Sequence, residues 1–155
     1  MDEVKQMGSE TMSEIIMDKA AIKEIIPHRE PFLLVDAITE FEPGKKVKGL
    51  WRLTGEEYFF KGHFPEKPVL PGVLMIESIA QVGAVAVLSV PEFAGKIAFM
   101  AGIDNVRFKK QVVPGDELRL EVELVKVRGS IGKGQGAAYV NGELAVKVDL
   151  TFAIQ

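Results

Sequence analysis

The sequence predicts an α+β domain in which an antiparallel sheet curls round one long buried helix. The segment from Pro71 to Ser89 is apolar on nearly every helical face, so other elements must surround it. Several other stretches alternate between apolar and polar residues, as half-buried strands do. The chain has 155 residues, which is enough for one domain with a real core and too few for two.

The N-terminal part of the domain can be interpreted element by element. Residues 1–17 are polar and are expected to form a flexible extension, and residues 18–155 form the single domain. Asp18 suits the N-cap of a short helix that reaches Ile26 and is stopped by Pro27. The following PFLLVDAITEF favours a buried strand, EPGKK a turn, and VKGLWRL an alternating strand.

The C-terminal part is predicted to be mostly strands. Pro71 suits the first turn of the central helix, and Pro91 is expected to end it. KIAFMAGIDNVRF is strand-like, VVPGDE is a turn and LRLEVELVKVR alternates. The glycine-rich GSIGKGQG is predicted to be a flexible connection, and Asn141-Gly142 is the preferred pair for a two-residue hairpin turn.

Composition and charge exclude several classes of protein. The chain is 47% hydrophobic and 26% charged and contains no cysteine, which excludes disulfides, cysteine-based metal sites and thiol chemistry. A net charge of -3 gives no support for nucleic-acid binding. Glu77 interrupts the longest apolar stretch at a cost of about 2.5–3.5 kcal/mol for membrane insertion. Because the N-terminus does not resemble a signal peptide, we expect a cytoplasmic protein without a membrane span.

Two histidines are the first candidates for chemistry. His63 lies in the proline-rich loop GHFPEKPVLPG, and histidine is the commonest general base near neutral pH. A loop histidine with a satisfied hydrogen bond is the simpler interpretation. His28 lies just past a helix end, where an imidazolium interacts favourably with the helix dipole, so a structural role explains it.

Glu77 is the second candidate, and two interpretations stay open. Glutamate is rarely buried without a partner, and only Gln81, one helical turn later, could hold its carboxyl oxygen. The pair could form an exposed edge of a half-buried helix. Alternatively, Glu77 is a carboxyl in an apolar pocket that holds a proton near neutral pH and can donate it.

Gly72 offers a third part of a site. It follows Pro71 at the start of the helix, so its N–H has no acceptor within the helix and lies at the positive end of the dipole. Without a Cβ it allows close approach of a ligand atom, so it could donate to a developing oxyanion. The glycine could equally serve only the turn.

Three motifs together carry a family resemblance. GHFPEKPVLPGVLMIESIAQVGA, with IIPHREPFLLVD before it and IDNVRFKKQVVPGDEL after it, resembles the β-hydroxyacyl-[acyl-carrier-protein] dehydratases of bacterial type II fatty-acid synthesis. The resemblance covers roughly residues 22–154 and not the first 17. It implies the hot-dog fold, a curved antiparallel sheet wrapped round one long helix. This expectation agrees with the fold class predicted above.

The resemblance also implies an activity. The protein would convert a (3R)-3-hydroxyacyl thioester, carried on the phosphopantetheine arm of acyl carrier protein, to the trans-2-enoyl thioester and water, for fatty-acid or lipid A synthesis. His63 would be the catalytic histidine and Glu77 the catalytic carboxylate, meeting across a homodimer interface, with three dimers forming a hexamer. No metal or redox cofactor is implied. Because the branch that also isomerises the product usually has aspartate here, Glu77 points to the dehydratase-only branch.

Further residues are expected to take part in this reaction. Gly72 would stabilise the thioester oxygen and Gln81 would orient Glu77. The substrate-binding set also includes Phe64, Pro71, Val73, Phe99 and Met100, with Phe99 near the mouth of an acyl tunnel. Candidates for docking the acidic carrier protein are Arg107, Lys109, Lys110 and Arg29. An unusual peptide geometry next to His63, such as a cis non-proline bond, is also suggested.

Three other functions remain possible at this point. A hot-dog thioesterase would release free thiol, and a dehydratase–isomerase would form the 3-enoyl product. A non-catalytic acyl-binding module would bind the substrate unchanged. The presence of both His63 and Glu77 argues against the last, because a passive pocket needs no carboxyl in an apolar helix.

Overall fold

The computed structural model describes residues 15–155 of the chain. Most of the predicted N-terminal extension, residues 1–14, therefore lies outside the described residues. Residues 15–155 contain two α-helices and six strands. They are α1 Lys19–Lys23, β1 Ala37–Glu42, β2 Lys46–Arg52, α2 Gly72–Leu88, β3 Ala98–Phe108, β4 Glu117–Arg128, β5 Ile131–Val140 and β6 Glu143–Ile154. Short 3-10 helices cover Tyr58–Lys61 and Pro91–Phe93.

The six strands form one antiparallel sheet in the order β1-β2-β4-β5-β6-β3. The sheet wraps round α2, which contacts all six strands. Most α2 side chains from Met75 to Leu88 are buried, whereas Val73 in the first turn is exposed. This arrangement confirms the predicted hot-dog fold and explains why an almost wholly apolar helix suits this chain.

The first helix is shorter than predicted. Asp18 is its N-cap, as expected, and its carboxylate accepts a hydrogen bond from the Ala21 N–H at 3.0 Å. The helix ends at Lys23 rather than Ile26. Arg29 folds back and donates to the carbonyl oxygens of Lys23 and Ile26, so the end of this helix is closed by a side chain from beyond it.

The prediction of a buried strand beginning at PFLLV was wrong for its first half. Leu33, Leu34 and Val35 are buried, but the strand begins only at Ala37. Side chains of α2 bind the backbone of this segment instead of a neighbouring strand: Gln81 accepts from Leu34 N–H at 2.8 Å, and Ser78 donates to Leu34 O at 2.6 Å. Local apolar patterning identified the burial but not these partners.

The prediction that GSIGKGQG is a flexible connection was also wrong. Only Gly129 and Ser130 form a turn, and the rest of the motif belongs to β5. Gly136 shows why glycine is needed there, because an added Cβ would overlap the side-chain methyl of Ile79 on α2. Glycines inside a strand mark places where another element approaches closely.

The hairpin at Asn141-Gly142 is confirmed. It joins β5 to β6, and both residues have positive φ angles, 52° and 80°, as a type I′ turn requires. Within residues 15–155, no helix is long and apolar enough to cross a membrane.

Candidate active site

Glu77 lies in the middle of α2, half-buried, with two side chains at the same carboxylate oxygen. Gln81 Nε2 donates to Glu77 Oε2 at 3.0 Å, and His28 Nε2 lies 3.5 Å from the same atom. The side chain of Glu77 is 21% exposed. The predicted Glu77–Gln81 pair therefore exists, but it is not the exposed edge of the alternative interpretation, because Gln81 is only 1% exposed.

Gln81 makes three hydrogen bonds through its side-chain amide. Its amide nitrogen donates to Phe32 O at 2.9 Å as well as to Glu77, and its oxygen accepts from Leu34 N–H. Both amide hydrogens and the oxygen therefore have partners, so the side chain has one orientation. Gln81 fixes the Glu77 carboxylate and, at the same time, attaches the 32–34 segment to α2.

A cavity of about 350 Å³ opens beside Glu77. Its walls are mostly apolar and come from α2, β6, the loop after α1 and the chain at the start of β3. They include Phe99 and Met100, two of the residues predicted to bind substrate, together with Ile97, Ala84 and Phe152. An apolar cavity lined by a carboxyl and an imidazole can hold an acyl chain beside Glu77. A larger groove of about 630 Å³ on the outer face of the sheet contains none of the predicted site residues.

His63 lies in the loop before α2, half-buried, and its ring orientation is fixed. Its Nδ1 is 2.8 Å from Val69 O, and a carbonyl oxygen can only accept, so Nδ1 carries the hydrogen. Nε2 then carries the lone pair. This is the tautomer that a general base needs, with its second nitrogen free to take a proton.

The residue after His63 has an unusual backbone conformation. Phe64 has φ 62°, in the left-handed region that bulky residues rarely adopt, and it is 58% exposed. Its ring packs on the imidazole with centroids 4.2 Å apart. The peptide bond between the two residues is not cis, so the suggested cis geometry was wrong, and the strain is at the φ angle of Phe64 instead.

Gly72 is the first residue of α2, with Pro71 as the N-cap. As the first helical residue it has no acceptor for its N–H one turn earlier, in line with the predicted donor role. Close packing gives a second reason for glycine here. A Cβ would lie 2.6 Å from Cε1 of Phe108 at the end of β3, so a larger residue would displace that ring.

A second apolar groove, of about 560 Å³, runs past Gly72. Val69, Val73, Met75 and Phe108 contribute apolar surface to it, and Lys109 and Lys110 also line it. Two of the predicted docking cations therefore lie on the groove that passes the start of α2. Lys110 forms an ion pair with Glu143, in which its Nζ donates to the carboxylate at 2.9 Å. This hydrogen bond raises the pKa of the lysine.

The two other predicted docking cations, Arg107 and Arg29, differ in how many hydrogen bonds they already make within the chain. Arg107 is exposed, and its guanidinium donates only to the neighbouring Val106 O. Arg29 donates to three backbone carbonyls around the end of α1, including His28 O at 2.6 Å. Arg29 therefore already has a structural role, whereas Arg107 and Lys109 form no ion pair with any residue in the described range.

The structure does not bring His63 and Glu77 together within one protomer. No hydrogen bond or ion pair joins them in the described part of the chain, and His63 does not line the cavity beside Glu77. Instead, Glu77, Gln81, Phe99 and Met100 share one cavity, and Gly72 and Val73 line the other.

His28 is the site residue that the sequence did not reveal. It was assigned to the end of α1, but Arg29 occupies that position and His28 faces Glu77. The two residues are 49 positions apart in the chain, so no spacing rule connects them. Ser78 was missed for the same reason, because its partner, Leu34, is distant in sequence.

The chain is similar to known proteins over most of its length. The FabA-like domain family matches residues 26–149. A 3-hydroxyacyl-[acyl-carrier-protein] dehydratase FabZ of Pelotomaculum thermopropionicum is 61% identical over 140 residues, covering 90% of this chain and 100% of the relative. The protein of the same name from Bacillus subtilis is 60% identical over 139 residues, covering 90% and 99%.

A solved structure supports the fold independently. A chain of the dehydratase heterocomplex ApeI:P from Xenorhabdus doucetiae superposes with a TM-score of 0.72, covering 86% of this chain and 90% of the other. The sequences are only 18% identical, so this similarity concerns the fold.

Proposed function

This chain belongs to the FabA-like family, among its 3-hydroxyacyl-[acyl-carrier-protein] dehydratases, and we propose that it dehydrates (3R)-3-hydroxyacyl-[acyl-carrier-protein] to the trans-2-enoyl thioester in fatty-acid elongation. It is therefore a hydro-lyase. The observation that carries this function best is the fixed carboxyl of Glu77 in the wall of an apolar cavity, with an oriented histidine in the motif before the helix.

His63 is the proposed base. Its free Nε2 takes the α-proton of the substrate, and the electrons of that C–H bond form the new C2=C3 double bond. The negative charge that develops on the thioester oxygen needs a donor, which the Gly72 N–H supplies at the start of α2. One such donor is worth about 2.7–4 kcal/mol in an acyl-transfer site.

Glu77 is the proposed acid. As the C3–O bond breaks, its carboxyl proton passes to the departing hydroxyl, which leaves as water. The proton gained by His63 and the one lost by Glu77 balance, so the enzyme returns to its starting state by exchange with solvent. An alternative assigns both transfers to one residue through a water molecule. We propose that no metal or redox cofactor is required, because this β-elimination involves no net oxidation or reduction and the proposed residues supply its base, its acid and its oxyanion donor.

The complete site is proposed to form between two protomers. His63 of one protomer would meet Glu77 of the other, because the two do not meet within one chain. Strand β3 supports this assembly, since it is an edge strand with several exposed apolar side chains, including Phe99 and Ile103. Unpaired edges with apolar surface favour pairing with another chain. Three such dimers would form the hexamer.

Acyl carrier protein is the proposed partner. Lys109 and Lys110 line the groove that passes Gly72, so an acidic carrier docked there would deliver its phosphopantetheine arm towards the start of α2. Arg107 would extend this basic surface. The acyl chain would then occupy the apolar cavity beside Phe99 and Met100. We also propose a cytoplasmic location, which suits a cysteine-free chain.

The test is to incubate the purified protein with a 3-hydroxyacyl thioester of acyl carrier protein. Loss of water by mass and appearance of the enoyl absorbance would be followed for wild type, His63→Ala and Glu77→Gln. We expect the wild type to form the 2-enoyl thioester and both variants to fold but lose activity.

Other outcomes would identify the rival functions. Free thiol would indicate a thioesterase, and a 3-enoyl product would indicate isomerisation. Unchanged substrate that remains bound would indicate an acyl-binding module. Activity retained in either folded variant would overturn the role assigned to that residue.

A further inference from the structure

We propose that His28 is a positioning residue that, together with Gln81, holds one oxygen of Glu77 so that the other carries the proton. This inference rests on the dehydratase function proposed above. It starts from an unexplained feature of the structure. His28 is a half-buried imidazole whose Nε2 faces Glu77 and whose Nδ1 is buried with no hydrogen-bond partner in the described residues.

The segment that carries His28 is fixed on both sides. On the N-terminal side, the carbonyls of Lys23 and Ile26 accept hydrogen bonds from Arg29, which hold the loop against the end of α1. After it, Gln81 holds Phe32 and Leu34 against α2. The backbone of this loop therefore places the imidazole against Glu77, and the contact does not depend on a flexible chain.

The partners of the carboxylate are distributed unequally. Gln81 Nε2 and His28 Nε2 both approach Oε2, and none of the described residues donates to Oε1. Oε1 is thus the oxygen available to the departing hydroxyl. The contact of 3.5 Å between His28 and Oε2 is longer than a well-formed hydrogen bond, and catalytic contacts of this kind tighten when substrate binds.

The buried Nδ1 indicates which form of His28 makes this contact. A hydrogen on Nδ1 would be a buried donor without an acceptor among the described residues. The tautomer with its hydrogen on Nε2 avoids a buried unpaired N–H and directs that hydrogen towards Glu77. A neutral donor orients the carboxyl without placing a positive charge beside a group that must hold a proton.

Three substitutions at one position test the role. His28→Gln keeps an N–H donor at about the distance of Nε2, His28→Asn places it at about the position of Nδ1, and His28→Phe keeps ring volume without nitrogen. We expect His28→Gln to retain most of the wild-type kcat. His28→Asn and His28→Phe should lower kcat by about tenfold to a hundredfold, as misplacement of a catalytic group does, with smaller changes in KM.

A double-mutant cycle supplies the second measurement. Because His28 acts through Glu77, His28→Phe should have little further effect on kcat in a Glu77→Asp background, whose shorter side chain moves the carboxyl away from the imidazole. Equal kcat in the folded His28→Gln and His28→Asn variants would overturn the role of His28. So would an equal relative decrease in kcat when His28→Phe is introduced into the wild type and into Glu77→Asp. Failure of the wild type to release water would instead overturn the dehydratase function, and this role with it.

Discussion

Gln81 shows how much of this site depends on a single side chain. It is almost completely buried and makes three hydrogen bonds, to Phe32, Leu34 and Glu77. Two of these bonds satisfy backbone groups of a segment that has no strand partner, and the third holds Glu77, the proposed acid. The same residue would therefore contribute to stability and to the proposed catalysis, and its substitution should affect both.

Gln81→Leu should lower the free energy of unfolding and kcat together. The leucine would leave Phe32 O and Leu34 N–H buried without partners, at about 1–3 kcal/mol for each group. The matched control is Ser78→Ala, which removes the bond to Leu34 O but does not touch Glu77. We expect the control to lose stability and keep kcat, as measured by urea denaturation and the dehydration assay. Unchanged kcat in Gln81→Leu would contradict the orienting role.

Glu57 connects the pH dependence of stability to the loop that carries His63. Burial would raise the pKa of Glu57, but hydrogen bonds from the Thr54 and Gly55 N–H groups and from the Thr54 hydroxyl hold it below 4.5. A carboxyl whose pKa is lower in the folded state than in the unfolded state stabilises the fold above the unfolded pKa. This contribution is lost as pH falls through the folded pKa.

Glu57→Gln should therefore flatten the acid limb of the stability curve. Between about pH 5 and pH 3, wild type should lose more free energy of unfolding than this variant. Glu56→Gln is the neighbouring control, because the Glu56 carboxylate accepts none of these hydrogen bonds. Identical pH profiles for wild type and Glu57→Gln, measured by urea denaturation at each pH, would show that the loop does not contribute to acid sensitivity.

At the level of elements, the close packing of β5 against α2 depends on a glycine in the strand. Alternate residues of β5, among them Gly132, Gly134 and Gly136, are buried on the side that faces α2. At Gly136 the strand passes so close to the helix that no side chain fits beside Ile79, a fully buried residue. Gly136 therefore lets β5 pass close to the helix that carries Glu77 and Gln81.

Gly136→Ala should lower the free energy of unfolding by about 1–3 kcal/mol, the usual cost of overpacking a core. Gly132→Ala is the matched control on the same strand, because its Cβ would meet only Val127 Cγ2 at an ordinary 3.7 Å. That variant should have unchanged or slightly increased stability, since alanine loses less backbone entropy than glycine. Equal effects of the two substitutions, measured by urea denaturation, would show that close packing is not the reason for Gly136.

At the level of the whole molecule, β3 is an edge strand with exposed apolar side chains. It lies at the edge of the sheet and pairs only with β6. Phe99, Ile103 and Phe108 on this strand are about half exposed, as is Phe64 beside His63. A second protomer on this edge would cover these side chains and could bring the two proposed catalytic residues together.

Mixed dimers test this arrangement. His63→Ala and Glu77→Gln protomers should each be inactive alone, but a mixed dimer would contain one site with His63 from one protomer and Glu77 from the other. Random re-association should therefore restore about a quarter of wild-type activity, because half of the dimers are mixed and each has one of two sites intact. Absence of any recovery, with dimers verified by light scattering, would indicate that each site lies within one chain.

The amino-acid sequence determined the elements and motifs that depend on neighbours along the chain. The central helix, the alternating strands, the Asp18 cap and the Asn141-Gly142 hairpin all follow from local rules of periodicity and backbone preference. The Glu77–Gln81 pair follows too, because residues four apart share a helix face.

Only the tertiary structure decided the contacts between distant segments. Three findings depend on residues 44 to 57 positions apart in the chain. Leu34 is buried outside a strand because Ser78 binds its carbonyl oxygen, and His28 lies against Glu77. Glycine is needed at position 136 because Ile79 lies opposite it. The physical reason is that burial can be inferred from composition, whereas a buried polar group or a glycine takes its role from the atoms opposite it. Those atoms are known only once the sheet has closed round the helix.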